Sequence, residues 1–159
     1  MAEEVMLSQK VVEVFLSYSH RDKELRDELV KHLRLLERQG VISSWYDRQI
    51  LPGIEWARDI DAHLQTAAII LLLVSADFLA SDYCYDIEMQ RAMERHEAGE
   101  ARVIPIILRP MDWHSAPFGK LQVLPKDGLP VTSWGNQDDA FVDITRGIRS
   151  IAEELAQNP

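Results

Sequence analysis

The chain has 159 residues, of which 47% are hydrophobic and 27% charged, and this indicates one globular domain. A formal net charge of −9 argues against nucleic acid or an anionic membrane surface as a partner, since either needs a clustered basic face. The longest apolar run is far shorter than the roughly 20 residues that cross a bilayer, and one cysteine without a signal peptide predicts a cytoplasmic location.

Strand and helix patterns alternate along the chain. Residues 1–10 form a predicted leader, 11–156 a single domain and 157–159 a tail. The predicted strands are 11–16, 41–46, 67–74, 103–108 and a short edge strand at 129–132, and apolar residues recur at helical spacing in segments between them and after 137. This alternation predicts an α/β domain whose sheet is parallel and carries helices on both faces.

Two of these strands carry signals of their position in the sheet. Residues 67–74 are apolar throughout, as expected for a central parallel strand that is covered on both faces. Pro105 has no N–H for a ladder, so we expect strand 103–108 to lie near an edge or to be locally irregular.

Polar segments follow the first three strands, at 17–21, 47–48 and 75–77. Because parallel strands end at one rim of the sheet, these segments should converge there. The stretch 81–88 follows the central strand, opens a helix and places Glu88 about one turn into it, near the same rim. Open α/β sheets bind ligands at this rim, but a polar rim is common to such domains and does not name the ligand.

Four segments resemble the conserved boxes of TIR domains. Residues 14–19 are similar to the first box, and 44–53, with the Pro-Gly pair at 52–53, resemble the family's BB loop. Residues 75–88 resemble the box that holds the catalytic glutamate, and 103–106 the fourth strand. The order and spacing of all four carry the resemblance, which covers about residues 11–156 and is closest in style to bacterial TIR domains.

The resemblance implies a flavodoxin-like three-layer fold with a five-stranded parallel sheet in the order 2-1-3-4-5. It also implies one of two functions in bacterial defence or signalling. Some TIR domains cleave NAD+ at the nicotinamide–ribose bond, giving nicotinamide and ADP-ribose or a cyclic isomer. Others act as scaffolds by self-association with further TIR domains. A phosphoacceptor receiver of the same fold is a poor match, because residues 17–19 lack an acidic cluster.

Glu88 is the catalytic residue that the resemblance implies. Nicotinamide leaves NAD+ as a neutral base from a cationic pyridinium, so no general acid is needed and one carboxylate near the ribose can stabilise the oxocarbenium-like centre. The alternative for Glu88 is a solvated helix carboxylate. NAD+ is the substrate in this interpretation, no further cofactor is required, and five histidines without ligand spacing predict no metal.

Other residues would contact NAD+ on the same resemblance, and most have a structural alternative. Tyr18 would stack on a ring or simply pack at the rim, and Ser19 above all would cap a helix. The two arginines would meet the pyrophosphate or remain exposed charges, and Asp47 would bind ribose or fix its loop. Cys84 fits a small buried side chain better than a nucleophile. The full set is Ser17, Tyr18, Ser19, Arg21, Asp47, Arg48, Tyr83 and Cys84.

The spacing before Glu88 departs from the usual box. TIR domains place an aromatic residue four positions before the glutamate and often a cysteine three before it. Here Cys84 stands four positions before Glu88 and Tyr83 five before it. Either the box has one extra residue or the helix starts differently, and the role of Tyr83 depends on which holds.

Overall fold

A parallel sheet forms the centre of the molecule. The computed structural model describes residues 10–46, 52–53 and 56–157, and only the backbone of residues 56, 57 and 59. Within these residues the strand order is β2-β1-β3-β4, and every pair is parallel. The strands are β1 Val12–Ser17, β2 Ile42–Trp45, β3 Ile69–Val74 and β4 Arg102–Ile107. The predicted parallel α/β architecture is confirmed.

Helices connect the strands and cover both faces. One core joins the sheet to α1 and α5, and a second core on the opposite face joins it to α2, α3 and α4. The helices are α1 Lys23–Arg38, α2 Trp56–Thr66, α3 Ala76–Ala80, α4 Gln90–Glu97 and α5 Gln137–Gln157. A π-helical segment, Tyr83–Met89, leads into α4, and 3₁₀ turns lie at His20–Asp22, Lys126–Gly128 and Val131–Ser133. None of the described helices is both long and apolar enough to cross a bilayer.

The central strand lies where its sequence predicted, and β4 lies at an edge, which is one of the two possibilities that Pro105 left open. All six residues of β3 are buried, because β1 and β4 flank it and helices cover both faces. Strand β4 lies at the edge of the sheet. The carbonyl of Pro105 accepts a hydrogen bond from Leu124 N at 3.0 Å on the outer side, so the missing N–H of Pro105 costs the ladder with β3 nothing.

The prediction of a fifth strand at 129–132 is wrong. Pro130 in this run has no N–H, and Val131–Ser133 forms a 3₁₀ turn in which Trp134 N donates to the Val131 carbonyl at 3.2 Å. The position beside β4 is instead taken by Leu124, which forms one isolated parallel bridge with Ile106. Because that contact is one residue wide, the sheet of the described chain has four strands.

A buried arginine ties the ends of two helices together. Arg95 on α4 is 8% exposed, and its Nη1 donates to the carbonyls of Leu64 and Ala67, each at 2.7 Å. Its Nη2 donates to the Glu100 carbonyl at 3.1 Å. These carbonyls lie at the C-terminal end of α2 and just beyond α4, where helix carbonyls lack intrahelical partners. Arg95 therefore has a structural function.

His96 connects α4 to β4 in a way that depends on pH. Its Nδ1 accepts the N–H of Val103 at 3.1 Å, which requires that this nitrogen carry no proton. Burial, and secondarily the charge of Arg102, lower the pKa of His96 below its ordinary value. The fold therefore favours neutral His96.

We expect this preference to make stability fall in mild acid. The unfolded chain binds a proton at His96 near its ordinary pKa of about 6.5. The stabilisation is thus complete above that value and is lost as pH falls through the lower pKa of the folded state. Between pH 7.5 and pH 5, the free energy of unfolding in urea should fall less for His96→Gln than for the wild type. The glutamine has no proton to gain, and its amide oxygen still accepts from Val103 N–H. Equal losses in both proteins would contradict this role.

Candidate active site

A buried carboxylate lies at the carboxyl end of β1. Ser17, the last residue of β1, is 1% exposed, and its Oγ donates to Glu88 Oε1 at 2.6 Å. Glu88 is 6% exposed and belongs to the π-helical segment. A buried carboxylate is costly unless it accepts hydrogen bonds, so the Ser17 hydroxyl helps to fix it in place. Glu88 therefore lies at the rim where the sequence placed it, and it is buried there rather than solvated.

A cleft of about 260 Å³ opens beside Glu88. One part of its lining is apolar and comes from β1 and α2. The remainder is aromatic and polar and comes from the turn after β1 and from the segment before α4. The lining residues are Phe15, Leu16, Tyr18, Ser19, His20, Ile60, Ser81, Tyr83, Cys84 and Glu88. A small concave site with few converging polar groups is typical of small-molecule binding.

The structure brings together only part of the predicted site. Tyr18, Ser19, Tyr83 and Cys84 line the cleft with Glu88, and Ser17 contacts Glu88 directly. Ser19 is also the N-cap of the following 3₁₀ turn.

The predicted site residues Arg21, Asp47 and Arg48 are not found in the cleft among the described residues. The backbone N–H of Arg21 donates to Ser19 Oγ at 3.3 Å. The side chain of Arg21 is exposed and does not line the cleft among the described residues. Asp47 and Arg48 lie outside the described residues, as do residues 49–51 of the predicted BB loop.

Five lining residues were not among the predicted site residues: Phe15, Leu16, His20, Ile60 and Ser81. Phe15 lies two positions before Ser17, so strand alternation turns both side chains to the same face of the sheet. Ile60 belongs to the apolar stripe of α2, and His20 directly follows the segment that resembles the first TIR box. The sequence thus held a signal for Phe15, Ile60 and His20. The spacing of apolar residues alone, however, does not distinguish a position that lines a cleft from one in the core.

The π-helical segment explains how Tyr83 and Cys84 both reach the cleft. In an α-helix, five residues at 3.6 per turn would rotate Tyr83 roughly 140° away from Glu88. A π-helix closes its turns between residues i and i+5, so Tyr83 and Glu88 lie about one turn apart. The seven residues Tyr83–Met89 have this wider turn. The structure thus accommodates the unusual spacing as one extra residue inside the helix.

Tyr18 is held at both ends. Its backbone carbonyl accepts a hydrogen bond from Cys84 Sγ at 3.2 Å. Its hydroxyl accepts a hydrogen bond from Nη1 of Arg26. Tyr18 is 6% exposed and Cys84 is 5% exposed, so both the rim-packing and the buried-thiol predictions agree with the structure. These two contacts fix the ring of Tyr18, which forms the aromatic wall of the cleft.

A second buried carboxylate braces the rim without entering the cleft. Asp22 is fully buried and accepts hydrogen bonds from Ser75 Oγ and, at 2.8 Å, from Arg109 Nε. Ser75 caps α3 by accepting from Phe78 N at 3.1 Å. The network joins the turn after β1 to the segments after β3 and β4. It holds in place the elements that carry the cleft.

The fold and the cleft define a doubly wound α/β domain with its site at the carboxyl ends of the strands. The chain belongs to the TIR domain family, whose model matches residues 14–144. It is 62% identical over 144 residues to the uncharacterized protein y4lF of Sinorhizobium fredii (strain NBRC 101917 / NGR234), and the match covers 91% of this chain and 45% of y4lF. The chain therefore spans less than half the length of that relative.

Two solved structures share the fold. The TIR domain of the Toll-related receptor TRR-2 from Hydra magnipapillata has a TM-score of 0.60 at 22% identity, and the match covers 86% of this chain and 97% of that domain. The TIR domains of the activated Roq1 resistosome, which directly recognises the pathogen effector XopQ, have a TM-score of 0.53 at 18% identity. That match covers 93% of this chain and 85% of the Roq1 chain. At these identities the likeness concerns the fold alone.

We expect the helix to tolerate removal of the extra residue. Deleting Asp86, which is exposed, leaves Tyr83 four and Cys84 three positions before Glu88, so all three share one face of an ordinary α-helix. The free energy of unfolding in urea should change by less than about 1 kcal/mol. Deleting the exposed Glu94 is the matched control. It rotates buried Arg95 out of place and should cost more than about 3 kcal/mol. Equal losses would contradict the role of the π-helical segment.

Proposed function

We propose that the chain cleaves NAD+ at the nicotinamide–ribose bond, with Glu88 as the catalytic carboxylate. One observation carries the proposal: Glu88 is buried, bonded to Ser17, and lines a cleft whose walls include Tyr18 and Tyr83. Membership in the TIR domain family supports it. A carboxylate with only a structural function would have no reason to line a cleft beside two aromatic rings.

The chemistry needs little beyond this arrangement. The glycosidic C–N bond breaks and its electron pair leaves with nicotinamide, while positive charge develops on the ribose carbon and ring oxygen. Glu88 binds the ribose hydroxyls and stabilises that charge, and burial strengthens this interaction relative to water. Water then adds to the ribose carbon, loses a proton to solvent and gives ADP-ribose. If another nucleophile of the same substrate attacks instead, a cyclic isomer forms.

The size of the cleft fits one end of the substrate. Its 260 Å³ lies slightly below the roughly 300–1,000 Å³ of typical small-molecule sites, so it suits nicotinamide and its ribose rather than a whole dinucleotide. The rings of Tyr18 and Tyr83 would contact the nicotinamide. The remainder of NAD+ would extend past His20 and Ser19, and contacts from Arg21, Asp47 and Arg48 to its pyrophosphate and ribose stay predictions.

Self-association is the second candidate function. The Roq1 TIR domains were solved within an activated resistosome. The relative y4lF is more than twice as long as the segment that this chain matches, so further domains could control assembly. In this alternative the chain is a TIR scaffold in bacterial defence or signalling, and Glu88 has no catalytic function. The two functions are compatible if assembly completes the active site.

Substitution of Glu88 tests the enzymatic function. We expect Glu88→Gln, which keeps the size and the hydrogen bond acceptor, to lower nicotinamide release from NAD+ by at least about 10³-fold, because the stabilising charge is lost. Glu94→Gln, an exposed carboxylate of the following helix, should release nicotinamide at the wild-type rate. Equal release by wild type and Glu88→Gln would exclude Glu88 as the catalyst.

Forced clustering separates the enzyme from the scaffold. We expect fusion of the chain to a tetrameric coiled coil to raise nicotinamide release per chain, since association raises the effective concentration of neighbouring domains. Glu88→Gln in the same fusion should remain inactive. If clustered wild-type protein binds to itself but releases no nicotinamide, the scaffold function is supported and the enzymatic function is wrong.

A further inference from the structure

Arg26 is a charged residue buried behind the cleft. It lies on α1, has 0% exposure and is the largest fully buried side chain of the described residues. Burying a guanidinium is costly unless hydrogen bonds and an opposite charge compensate for lost water. An apolar residue would fill such a position at lower cost. The residues that contact Arg26 therefore indicate why a charged side chain is present there.

The guanidinium of Arg26 contacts one carboxylate and two tyrosines. Its Nε and Nη2 donate to Asp27 Oδ1 at 3.0 and 2.5 Å, and Nη1 donates to the hydroxyl of Tyr18. Its central carbon lies 4.6 Å from the ring centroid of Tyr18 and 4.9 Å from that of Tyr46, within the range of cation–π contacts. Burial opposes the charge, but hydrogen bonds to Asp27 and Tyr18 and the negative charge of Asp27 raise the pKa of Arg26, so it stays protonated.

These contacts form a continuous path to the catalytic segment. Arg26 holds the hydroxyl of Tyr18, and the carbonyl of Tyr18 accepts from the thiol of Cys84. Cys84 lies in the π-helical segment that carries Glu88. Tyr18 also directly follows Ser17, whose hydroxyl holds Glu88. A displacement of Tyr18 would therefore move one side of the cleft. It would also disturb the two hydrogen bonds that hold the π-helical segment, from Cys84 to the Tyr18 carbonyl and from Ser17 to Glu88.

We propose that Arg26 is a positioning residue of the cleft, which fixes Tyr18 against Cys84 so that the nicotinamide end of the substrate meets a rigid aromatic wall. The identity of the ligand rests on the proposed function, but the positioning itself does not. Lysine would not replace Arg26, because an ammonium lacks the planar fork that spans Asp27 and Tyr18 together.

The single cysteine provides a readout that needs no turnover. Cys84 is the only thiol of the chain and is 5% exposed, so its reaction with a disulfide reagent such as DTNB under native conditions reports opening of the cleft wall. We expect Arg26→Met to react about tenfold faster than wild type, the size expected for loss of one charge-assisted hydrogen bond. Tyr18→Phe, which keeps the ring, should show the same effect.

A double-variant cycle and a matched control separate positioning from general destabilisation. The Arg26→Met, Tyr18→Phe double variant should react no faster than either single variant, because both act through one contact. Arg95→Met removes another buried arginine, whose hydrogen bonds go to the backbone carbonyls of Leu64 and Ala67 instead of to Tyr18. It should lower the unfolding midpoint with little change in thiol reaction. A wild-type rate in both folded Arg26→Met and Tyr18→Phe, or equal acceleration by Arg95→Met, would overturn the proposal.

Kinetics provide a second arm that rests on the proposed function. Arg26→Lys should raise KM for NAD+ several-fold and change kcat less, because the substrate wall loosens while Glu88 stays in place. If wild-type protein releases no nicotinamide, the proposed function fails while the thiol measurement still decides the role of Arg26. If nicotinamide is released and Arg26→Lys leaves KM unchanged, Arg26 does not position the wall.

Discussion

The arrangement of the site depends on one buried hydrogen bond, from Ser17 Oγ to the carboxylate of Glu88 at 2.6 Å. A carboxylate that is 6% exposed needs such partners, because the water it has lost would otherwise leave it strongly destabilised. The bond joins the end of β1 to a helix that comes much later in the chain. It thereby sets the distance between the two walls of the cleft, and the turn after β1 and the π-helical segment must conform to it.

Among the residues that the structure describes, two buried carboxylates and two buried arginines differ in what they contact. Asp22 is bonded to Arg109 and Ser75 and braces the rim outside the cleft. Arg95 binds backbone carbonyls at the ends of α2 and α4, just before β3 and β4 begin. Glu88 lines the cleft, and Arg26 reaches it through Tyr18. Burial of charge alone therefore does not identify a functional residue, and it is the position beside the cleft that distinguishes Glu88 from Asp22 and Arg95.

The sequence predicted much of this arrangement, and the failures have physical causes. Alternation of strand and helix patterns was enough for the parallel sheet, and Pro105 indicated either an edge position or an irregularity for β4, of which the edge position holds. The run 129–132 has strand-like residues, but Pro130 cannot join a ladder and Leu124 takes the neighbouring position. The unusual spacing before Glu88 indicated either an extra residue or a different helix start, and whether a helix absorbs an extra residue as a π turn depends on contacts with β1. Arg26 gave no signal, since an arginine on a helix is usually exposed.

A crystal structure of the Glu88→Gln variant with NAD+ bound would show directly whether the cleft holds the substrate. We expect the nicotinamide ribose to lie beside residue 88, with the nicotinamide ring against Tyr18 and Tyr83 and the adenosine end extending out past His20. NAD+ bound elsewhere on the domain, with the cleft beside residue 88 filled only by solvent, would contradict the central claim that this buried carboxylate faces the substrate.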